Sequence, residues 1–163
     1  MLKLVSIGET TADNYPQIDQ TLVGGISLNF AVQTKRCGIP FVSMVSAVGN
    51  DANGKMILEK LRQEDIDTTH LTIMPGKTAH CEIVVLENGE RYFPPNSYHQ
   101  EVLASYKPSP ADLKFVQQHD IVVSRFDISY TKETFNAVIV DLPFTGKKVV
   151  DFGDWFDLSL IHI

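Results

Sequence analysis

Cysteine is scarce in this sequence, with only Cys37 and Cys81 among 163 residues. The two lie far apart and form no Cys-x-x-Cys motif, which favours buried, reduced thiols over a disulfide or a cysteine-held metal. The five histidines are scattered without the short spacings of a metal site. No Asn-x-Ser/Thr glycosylation signal occurs. We therefore predict no metal site and expect a reduced protein of the cytoplasm.

Basic residues are outnumbered by acidic ones. The chain carries 14 Lys and Arg against 20 Asp and Glu, which gives a net charge of −6. This balance argues against nucleic acid or an anionic membrane as a partner, because both favour a basic surface. No apolar run approaches the roughly 20 residues of a membrane span, and the N-terminus lacks the pattern of a signal peptide. We expect neither a nucleic-acid partner nor a membrane.

The remaining composition is typical of one α/β domain. Hydrophobic residues make up 44% of the chain and charged residues 21%, which suits a chain that folds around a core. Apolar runs at 2–8 and 41–48 predict buried strands, with a helix at about 27–37 between them. This order indicates a right-handed βαβ unit in a parallel sheet. Further strands are predicted at 120–124 and 149–152.

Polar residues and glycines cluster where the first strand and the first helix meet. Asp13 follows the first strand, and Gly24-Gly25 precedes the helix that carries Asn29 in its first turn. Ligands bind at the carboxyl ends of strands in open α/β sheets, and paired glycines let backbone approach a ligand. From position alone, Asp13 is more typical of a turn, and Asn29 suits capping and ligand binding equally. The first strand lacks a following Gly-x-Gly-x-x-Gly, which weighs against a dinucleotide site.

A second, smaller sheet is predicted outside the main one. Asn88-Gly89 separates the strand-like runs 78–86 and 90–93, and this dipeptide is a strong hairpin signal because both turn residues need positive φ. The hairpin interrupts the alternation of strands and helices, so we predict an antiparallel sheet there. The stretch 13–23 must also lie outside the main sheet if the βαβ unit is correct.

These motifs together resemble the ribokinase-like, or PfkB, family of carbohydrate kinases. The matching pieces occur in the family order and are Gly8…Asp13, Gly24-Gly25-x-x-x-Asn29, Gly38, Ala47-Val48-Gly49-x-Asp51-x-x-Gly54, Thr78-Ala79 and Gly89-x-Arg91. The pieces that look most like fructoselysine and fructosamine kinases are Tyr15-Pro16-Gln17, the strand at 120–122 and Asp151-Phe152-x-Asp154-x-x-Asp157. The resemblance covers nearly the whole chain.

The resemblance implies a fold and an activity. The fold is the N-terminal part of a ribokinase-like three-layer α/β sandwich, in a single domain over 1–163, with segments of a small β-sheet lid inserted at about 11–24 and 69–95. The activity is ATP-dependent phosphorylation of a sugar or sugar-derived hydroxyl, such as that of a fructosamine. ATP and Mg²⁺ would act in the complete enzyme, and a homodimer through the lid is expected.

The resemblance also assigns substrate-binding residues. The positions that match those binding sugar hydroxyls are Asp13, Gly24, Gly25 and Asn29. A carboxylate, two bare backbone units and an amide suit a polyhydroxylated substrate. Arg91 and Arg125 are two further candidates, and one of them would meet a substrate carboxylate through a bidentate pair if the substrate is a fructosamine. Each arginine also suits a surface position or an ion pair.

The chain departs from the family in one motif. It contains no Asp-Thr-x-Gly-Ala-Gly-Asp, the motif that supplies the family's catalytic aspartate and its phosphate-binding glycines. We therefore assign no catalytic residue, expect no nucleotide to be fully bound, and predict that the isolated chain cannot transfer phosphate. The alternatives are a non-catalytic paralogue that binds a sugar or a partner, and a nucleoside kinase of the same fold. An open half-sheet would expose apolar surface and favour oligomerisation or poor solubility.

Overall fold

The computed structural model describes residues 1–125 and 132–152. Its strands are β1 (Lys3–Ile7), β2 (Thr11–Tyr15), β3 (Gln20–Gly24), β4 (Phe41–Gly49), β5 (Leu71–Met74), β6 (His80–Glu82), β7 (Val84–Val85), β8 (Arg91–Tyr92), β9 (Tyr98–His99), β10 (Ile121–Arg125) and β11 (Lys147–Asp151). Its helices are α1 (Ile26–Arg36), α2 (Ala52–Gln63), α3 (Pro110–Val116) and α4 (Lys132–Phe135). Shorter helical turns lie at Pro16–Ile18, Glu101–Ala104 and Asn136–Val140.

A five-stranded sheet in the order β11-β10-β1-β4-β5 forms the centre of the molecule. Every pairing in it is parallel, so β1 lies between β10 and β4, and the carboxyl ends of all five strands share one edge. Parallel neighbours need long crossover connections, and α1 and α2 supply those on either side of β4. The predicted parallel α/β sheet is confirmed.

Helices cover both faces of this central sheet. Neighbouring residues of a strand point to opposite faces, so Leu4 and Val5 of β1 enter different clusters. Leu4 packs with Leu28 of α1 and Ile57 of α2 on one face. Val5 packs with Val116 of α3 on the other face. Because apolar side chains occupy both faces of the strands, the sheet is the middle layer of three, as predicted.

A second sheet, the lid sheet, contains four strands in the order β3-β2-β6-β9. β2 and β3 form an antiparallel hairpin, β6 adds parallel to β2, and β9 adds antiparallel to β6. The predicted separate sheet is present, but it is mixed rather than purely antiparallel. The second lid segment, predicted at about 69–95, begins later than expected, because β5 pairs with β4 in the central sheet.

The Asn88-Gly89 hairpin forms, with a different turn from the predicted one. β7 and β8 pair antiparallel in a two-stranded ribbon. Gly89 has φ +84°, whereas Asn88 is not among the residues with positive φ. The Gly89 N–H donates to the Leu86 carbonyl at 2.8 Å, and the Leu86 N–H donates to the Glu90 carbonyl at 2.8 Å. This pattern is typical of a turn followed by a left-handed glycine, which needs only one positive φ.

Two smaller outcomes bear on the sequence predictions. Both cysteines are free, but Cys37 is exposed and only Cys81 is buried, so the prediction of two buried thiols is wrong for Cys37. Asp154 and Asp157, which contributed to the resemblance to fructosamine kinases, lie outside the described residues.

Within 1–125 and 132–152, no helix combines the length and apolar character needed to cross a bilayer.

Candidate functional site

Asp13 and Gly24 lie against each other on adjacent strands of the lid sheet. In the β2–β3 hairpin Asp13 pairs with Leu22, and Gly24 is the next residue of β3 that points to the same face. A Cβ atom built on Gly24 would overlap Cγ and both carboxylate oxygens of Asp13. The glycine therefore provides the space that the Asp13 carboxylate occupies.

The Asp13 carboxyl is partly buried. Its Oδ1 accepts a hydrogen bond from Thr11 Oγ1 at 3.2 Å. Burial raises the pKa of Asp13 above its ordinary value, and the Thr11 hydrogen bond and the positive charge of Arg91 act against that rise. Because loss of water outweighs the two favourable contacts, the ionised form of this carboxyl costs free energy in the folded chain.

Gly25 joins the lid sheet to the first turn of α1. It precedes the helix with φ +101°, a conformation that glycine adopts readily. A Cβ at this position would lie 2.8 Å from the Glu9 carbonyl oxygen and 3.1 Å from the Thr11 backbone nitrogen. The glycine pair thus lets two stretches of backbone pass close to each other beside Asp13.

Glu9, which the sequence analysis did not single out, anchors the same helix start. Its side chain is 2% exposed, and Oε1 accepts from the Ile26 N–H at 3.0 Å and from Arg125 Nη1 at 3.1 Å. An anionic group at a helix N-terminus is stabilised by the unpaired N–H groups there. The signal in the sequence is a lone acidic residue directly after the strand-ending Gly8, which is too common in loops to be diagnostic.

The two arginine candidates occupy different environments. Arg91 is exposed on β8, near enough to Asp13 for its charge to affect the pKa of that carboxyl. Arg125 ends β10 and forms the ion pair with buried Glu9. Arg91 therefore lies where a substrate near Asp13 could reach it, whereas Arg125 fits the alternative role of an ion-pair partner.

Asn29 is exposed on α1, and its N–H donates to the Gly25 carbonyl at 2.8 Å. It lines a groove of about 640 Å³ between β3, α1 and α2, together with Leu22 and Gln33. Asp13 does not line this groove. The structure thus brings Asp13, Gly24 and Gly25 together, and it does not show Asn29 in a cavity shared with Asp13.

Asp51 and Thr78 fix the base of the lid sheet to the central sheet. Asp51 Oδ1 accepts from the Gly54 N–H at 2.9 Å and so caps the N-terminus of α2. Its carboxylate also accepts from the Thr78 N–H at 3.0 Å and from Thr78 Oγ1 at 2.6 Å. Thr78 Oγ1 in turn accepts from the Gly49 N–H at the end of β4, at 2.9 Å. These contacts set where the lid stands relative to the carboxyl ends of the central strands.

Comparison with known proteins supports the architecture and gives the family. The family model described as "pfkB family carbohydrate kinase" matches residues 1–138. Fructoselysine 6-kinase of Escherichia coli (strain K12) is 31% identical over 122 residues, which are 75% of this chain and 45% of that protein. The chain thus matches less than half the length of that relative.

Solved structures share the fold. A ribokinase from Thermotoga maritima matches 93% of this chain and 52% of its own, with a TM-score of 0.77 and 19% identity. A ribokinase of Arabidopsis thaliana, solved with ribose and ATP, matches 94% of this chain and 54% of its own, with a TM-score of 0.71 and 21% identity. The described domain is therefore part of a ribokinase-like fold. Together with the family match over residues 1–138, this shows that the chain belongs to the pfkB family of carbohydrate kinases.

Proposed function

We propose that this chain forms the sugar-binding half of an ATP-dependent kinase that phosphorylates a sugar or a sugar-derived hydroxyl. The observation that carries the proposal is the Asp13 carboxylate held in the space left by Gly24, beside the bare backbone of Gly25. A carboxylate accepts hydrogen bonds from sugar hydroxyls, and exposed backbone groups supply further donors and acceptors. The family membership supports the same activity class.

The electrostatics of Asp13 agree with a binding role. Its pKa is raised by burial, so the ionised carboxyl is less stable in the fold than in water. A carboxyl whose ionised form destabilises the fold, and which lies beside backbone not covered by side chains, is more typical of a functional position than of a structural one. Substrate hydroxyls would replace the hydrogen bonds from water that burial removes.

A fructosamine is the substrate class that we propose. Such a molecule carries the carboxylate of its amino acid as well as sugar hydroxyls, and Arg91 is an exposed cation near Asp13. An arginine binds a carboxylate with two parallel hydrogen bonds. The similarity to E. coli fructoselysine 6-kinase supports this class. In this proposal the Asn29 amide binds the substrate from the first turn of α1. Arg125 supports the site indirectly, by pairing with Glu9 at the start of that helix.

ATP and Mg²⁺ belong to the proposal for the complete enzyme. The 163 residues contain no Asp-Thr-x-Gly-Ala-Gly-Asp. Phosphoryl transfer depends on positioning and on charge stabilisation around the γ-phosphoryl group. We therefore propose that this chain alone neither fully binds ATP nor transfers phosphate. ADP formation that depends on a sugar, measured on the purified chain, would contradict this part of the proposal.

A binding experiment tests the proposed site directly. Isothermal titration of the chain with fructoselysine, fructose, ribose and nucleosides should show the tightest binding for fructoselysine. Asp13→Asn should weaken it by about tenfold or more, because hydrogen bonds to a charged group contribute about 1.5–3 kcal/mol. Asp19→Asn is the matched control. Asp19 is exposed with φ +50° in the turn between β2 and β3, a conformation that asparagine tolerates.

The other outcomes of that titration are informative. Binding of nucleosides alone would favour a nucleoside kinase of the same fold. Absence of binding to every sugar and nucleoside would favour a non-catalytic module that recognises a partner. Equal loss of affinity in Asp13→Asn and Asp19→Asn would place the ligand away from the pair formed by Asp13 and Gly24.

A homodimer through the lid is part of the proposal. The exposed large apolar residues include Leu22 on the edge strand β3, which is 50% exposed, and Tyr92 and Phe93 in and after the β7–β8 ribbon. Edge strands and apolar patches are the surfaces on which chains pair. Light scattering after size-exclusion chromatography should give a dimer mass, and Leu22→Lys should shift it toward the monomer.

Both cysteines are free, which fits the cytoplasm as the compartment.

A further inference from the structure

Two histidines and a glutamate meet on the lid sheet, on the face opposite Asp13. Asp13 pairs with Cys81, and Ala12 pairs with His80, so His80 points away from the Asp13 side. His80 lies directly across from His99 in the β6–β9 pair. Glu101 follows two residues later, at the start of a short helical turn. Ligand atoms of these three residues all lie within 4.8 Å of one another.

A backbone contact fixes the orientation of His80. Its Nδ1 lies 3.3 Å from the Thr78 carbonyl oxygen, which can only accept, so Nδ1 carries the proton. Nε2 then holds the lone pair that a metal ion requires. Metal-ligating histidines are commonly oriented in this way, through the other ring nitrogen and a backbone carbonyl. Thr78 is itself held by Asp51, so the contact rests on a fixed base.

His99 and Glu101 complete the cluster from the opposing strand and the turn after it. The His80 and His99 rings are parallel within 17°, with centroids 4.6 Å apart. Glu101 has φ +49°, which is uncommon for a residue with a side chain and carries a conformational cost. Such backbone positions concentrate where a side chain must be aimed at a ligand.

We propose that His80, His99 and Glu101 form a binding site for a divalent transition-metal ion, with Zn²⁺ as the reference ion. Two imidazole nitrogens and one carboxylate favour Zn²⁺, Co²⁺ or Ni²⁺ over Mg²⁺, which prefers oxygen ligands. Bonds of about 2.0–2.2 Å separate the ligands of tetrahedral zinc by about 3.4 Å. His99 and Glu101 are exposed and can rotate to close the remaining gap from 4.8 Å.

The ion would connect β6 to β9 and to the turn that begins at Glu101. Three protein ligands leave one position of a tetrahedral ion for water or a fourth group. An ion that binds the folded chain and not the unfolded chain raises the stability in proportion to the logarithm of its concentration once the site is filled. Zn²⁺ should therefore raise the melting temperature of the chain, and EDTA should reverse the rise.

Isothermal titration of the EDTA-treated full chain with ZnCl₂ tests the site. We expect saturable binding of one ion per chain, and a Co²⁺ complex with the visible absorption of tetrahedral cobalt. His80→Gln, His99→Gln and Glu101→Gln should each lower the Zn²⁺ affinity by about tenfold or more, since even loss of a supporting residue outside the ligand set costs that much. MgCl₂ should neither bind nor shift the melting temperature.

Matched controls separate this site from general surface binding. His70→Gln removes a histidine that pairs with Asp112 at 2.7 Å, and Glu87→Gln removes an exposed glutamate in the β7–β8 loop. Both controls should bind Zn²⁺ like the unaltered chain. The proposal is overturned if binding is absent, or if the three cluster variants bind Zn²⁺ as tightly as the controls do. Urea unfolding without metal shows whether each variant is folded. If a histidine variant does not fold, Glu101→Gln still tests the site, because Glu101 is exposed.

Discussion

The Asp13 carboxylate occupies the space in which a side chain at residue 24 would begin. A Cβ on Gly24 would overlap Cγ and both oxygens of that carboxylate. Gly24 does not have a positive φ, so its role here is to leave space rather than to adopt an unusual backbone conformation. The two residues are therefore coupled, and the effect of a substitution at one on the free energy of unfolding should depend on the residue at the other.

Gly24→Ala should therefore destabilise the chain through this clash. We expect a loss of about 1–3 kcal/mol in the free energy of unfolding by urea, the usual cost of overpacking a filled site. Combining it with Asp13→Ala should relieve most of the loss, and a double-mutant cycle measures that coupling. Gly38→Ala is the control, since Gly38 has φ +95° but a Cβ there would meet no atom within 4 Å, so Asp13→Ala should not rescue it. Full additivity at residues 13 and 24 would contradict the finding.

Asp13→Asn should stabilise the chain at neutral pH. Burial raises the folded-state pKa of Asp13 above its ordinary value of 3.8. The protonated carboxyl therefore contributes its full stabilisation of the fold below pH 3.8, and this contribution is lost as the pH rises through the folded-state pKa. The neutral amide avoids the cost of the buried charge. Urea unfolding at pH values from acid to neutral should show the gain of Asp13→Asn growing with pH. A variant that is less stable at neutral pH than the unaltered chain would contradict the assignment.

Removing Arg125 should be costly because it leaves Glu9 charged and buried. Glu9 is 2% exposed, and loss of one partner of a buried ion pair typically costs about 3–5 kcal/mol. We expect Arg125→Ala to lower the free energy of unfolding by an amount in that range. Lys107→Ala is the matched control, since Lys107 and Glu133 form a pair that is 69% and 64% exposed. Such an exposed pair contributes about 1 kcal/mol or less. Equal effects in the two variants would show that Glu9 does not depend on Arg125.

Asp51→Ala should cost more than the loss of a helix cap. A cap alone contributes about 1 kcal/mol, but Asp51 also holds Thr78 at the base of the lid. We expect about 2–3 kcal/mol in urea unfolding, with Ser109→Ala, the cap of α3, as the control. Burial raises the pKa of Asp51, but hydrogen bonds from Thr78 and Gly54 outweigh it and the net pKa is lowered. Its stabilisation is therefore present above pH 3.8 and should fade as the pH falls through the folded-state pKa. A difference between Asp51→Ala and the unaltered chain that persists in strong acid would contradict this account.

The elements that the sequence predicted well depend on local patterns. The apolar runs that became β1 and β4 were recognisable because strands covered on both faces are apolar almost throughout. The Asp51 cap of α2 is local in the same sense, because the carboxylate and its partner Gly54 lie within four residues of each other. The hairpin at Asn88-Gly89 was also found, while its turn differed because a single left-handed residue, Gly89, was enough.

Other features depended on pairings that no local pattern encodes. β5 lies in a segment that was predicted for the lid, and it joined the central sheet because α2 returns the chain beside β4. The sequence left Arg125 open between substrate binding and an ion pair, and its contact with Glu9 arises because β10 ends beside that residue. The histidines showed no metal spacing along the chain, yet strand register placed His80 opposite His99.

The sequence by itself determined the α/β class, the separate lid and the glycine-containing turn before α1. Apolar runs, the alternation of apolar and polar residues, and glycine conformation all act over a few residues. Only the tertiary structure decided which side chains meet. It placed Gly24 against Asp13, Glu9 under the start of α1 and two histidines beside Glu101. The physical reason is that contacts between distant residues follow from strand order and register, which depend on how the whole chain buries its apolar surface.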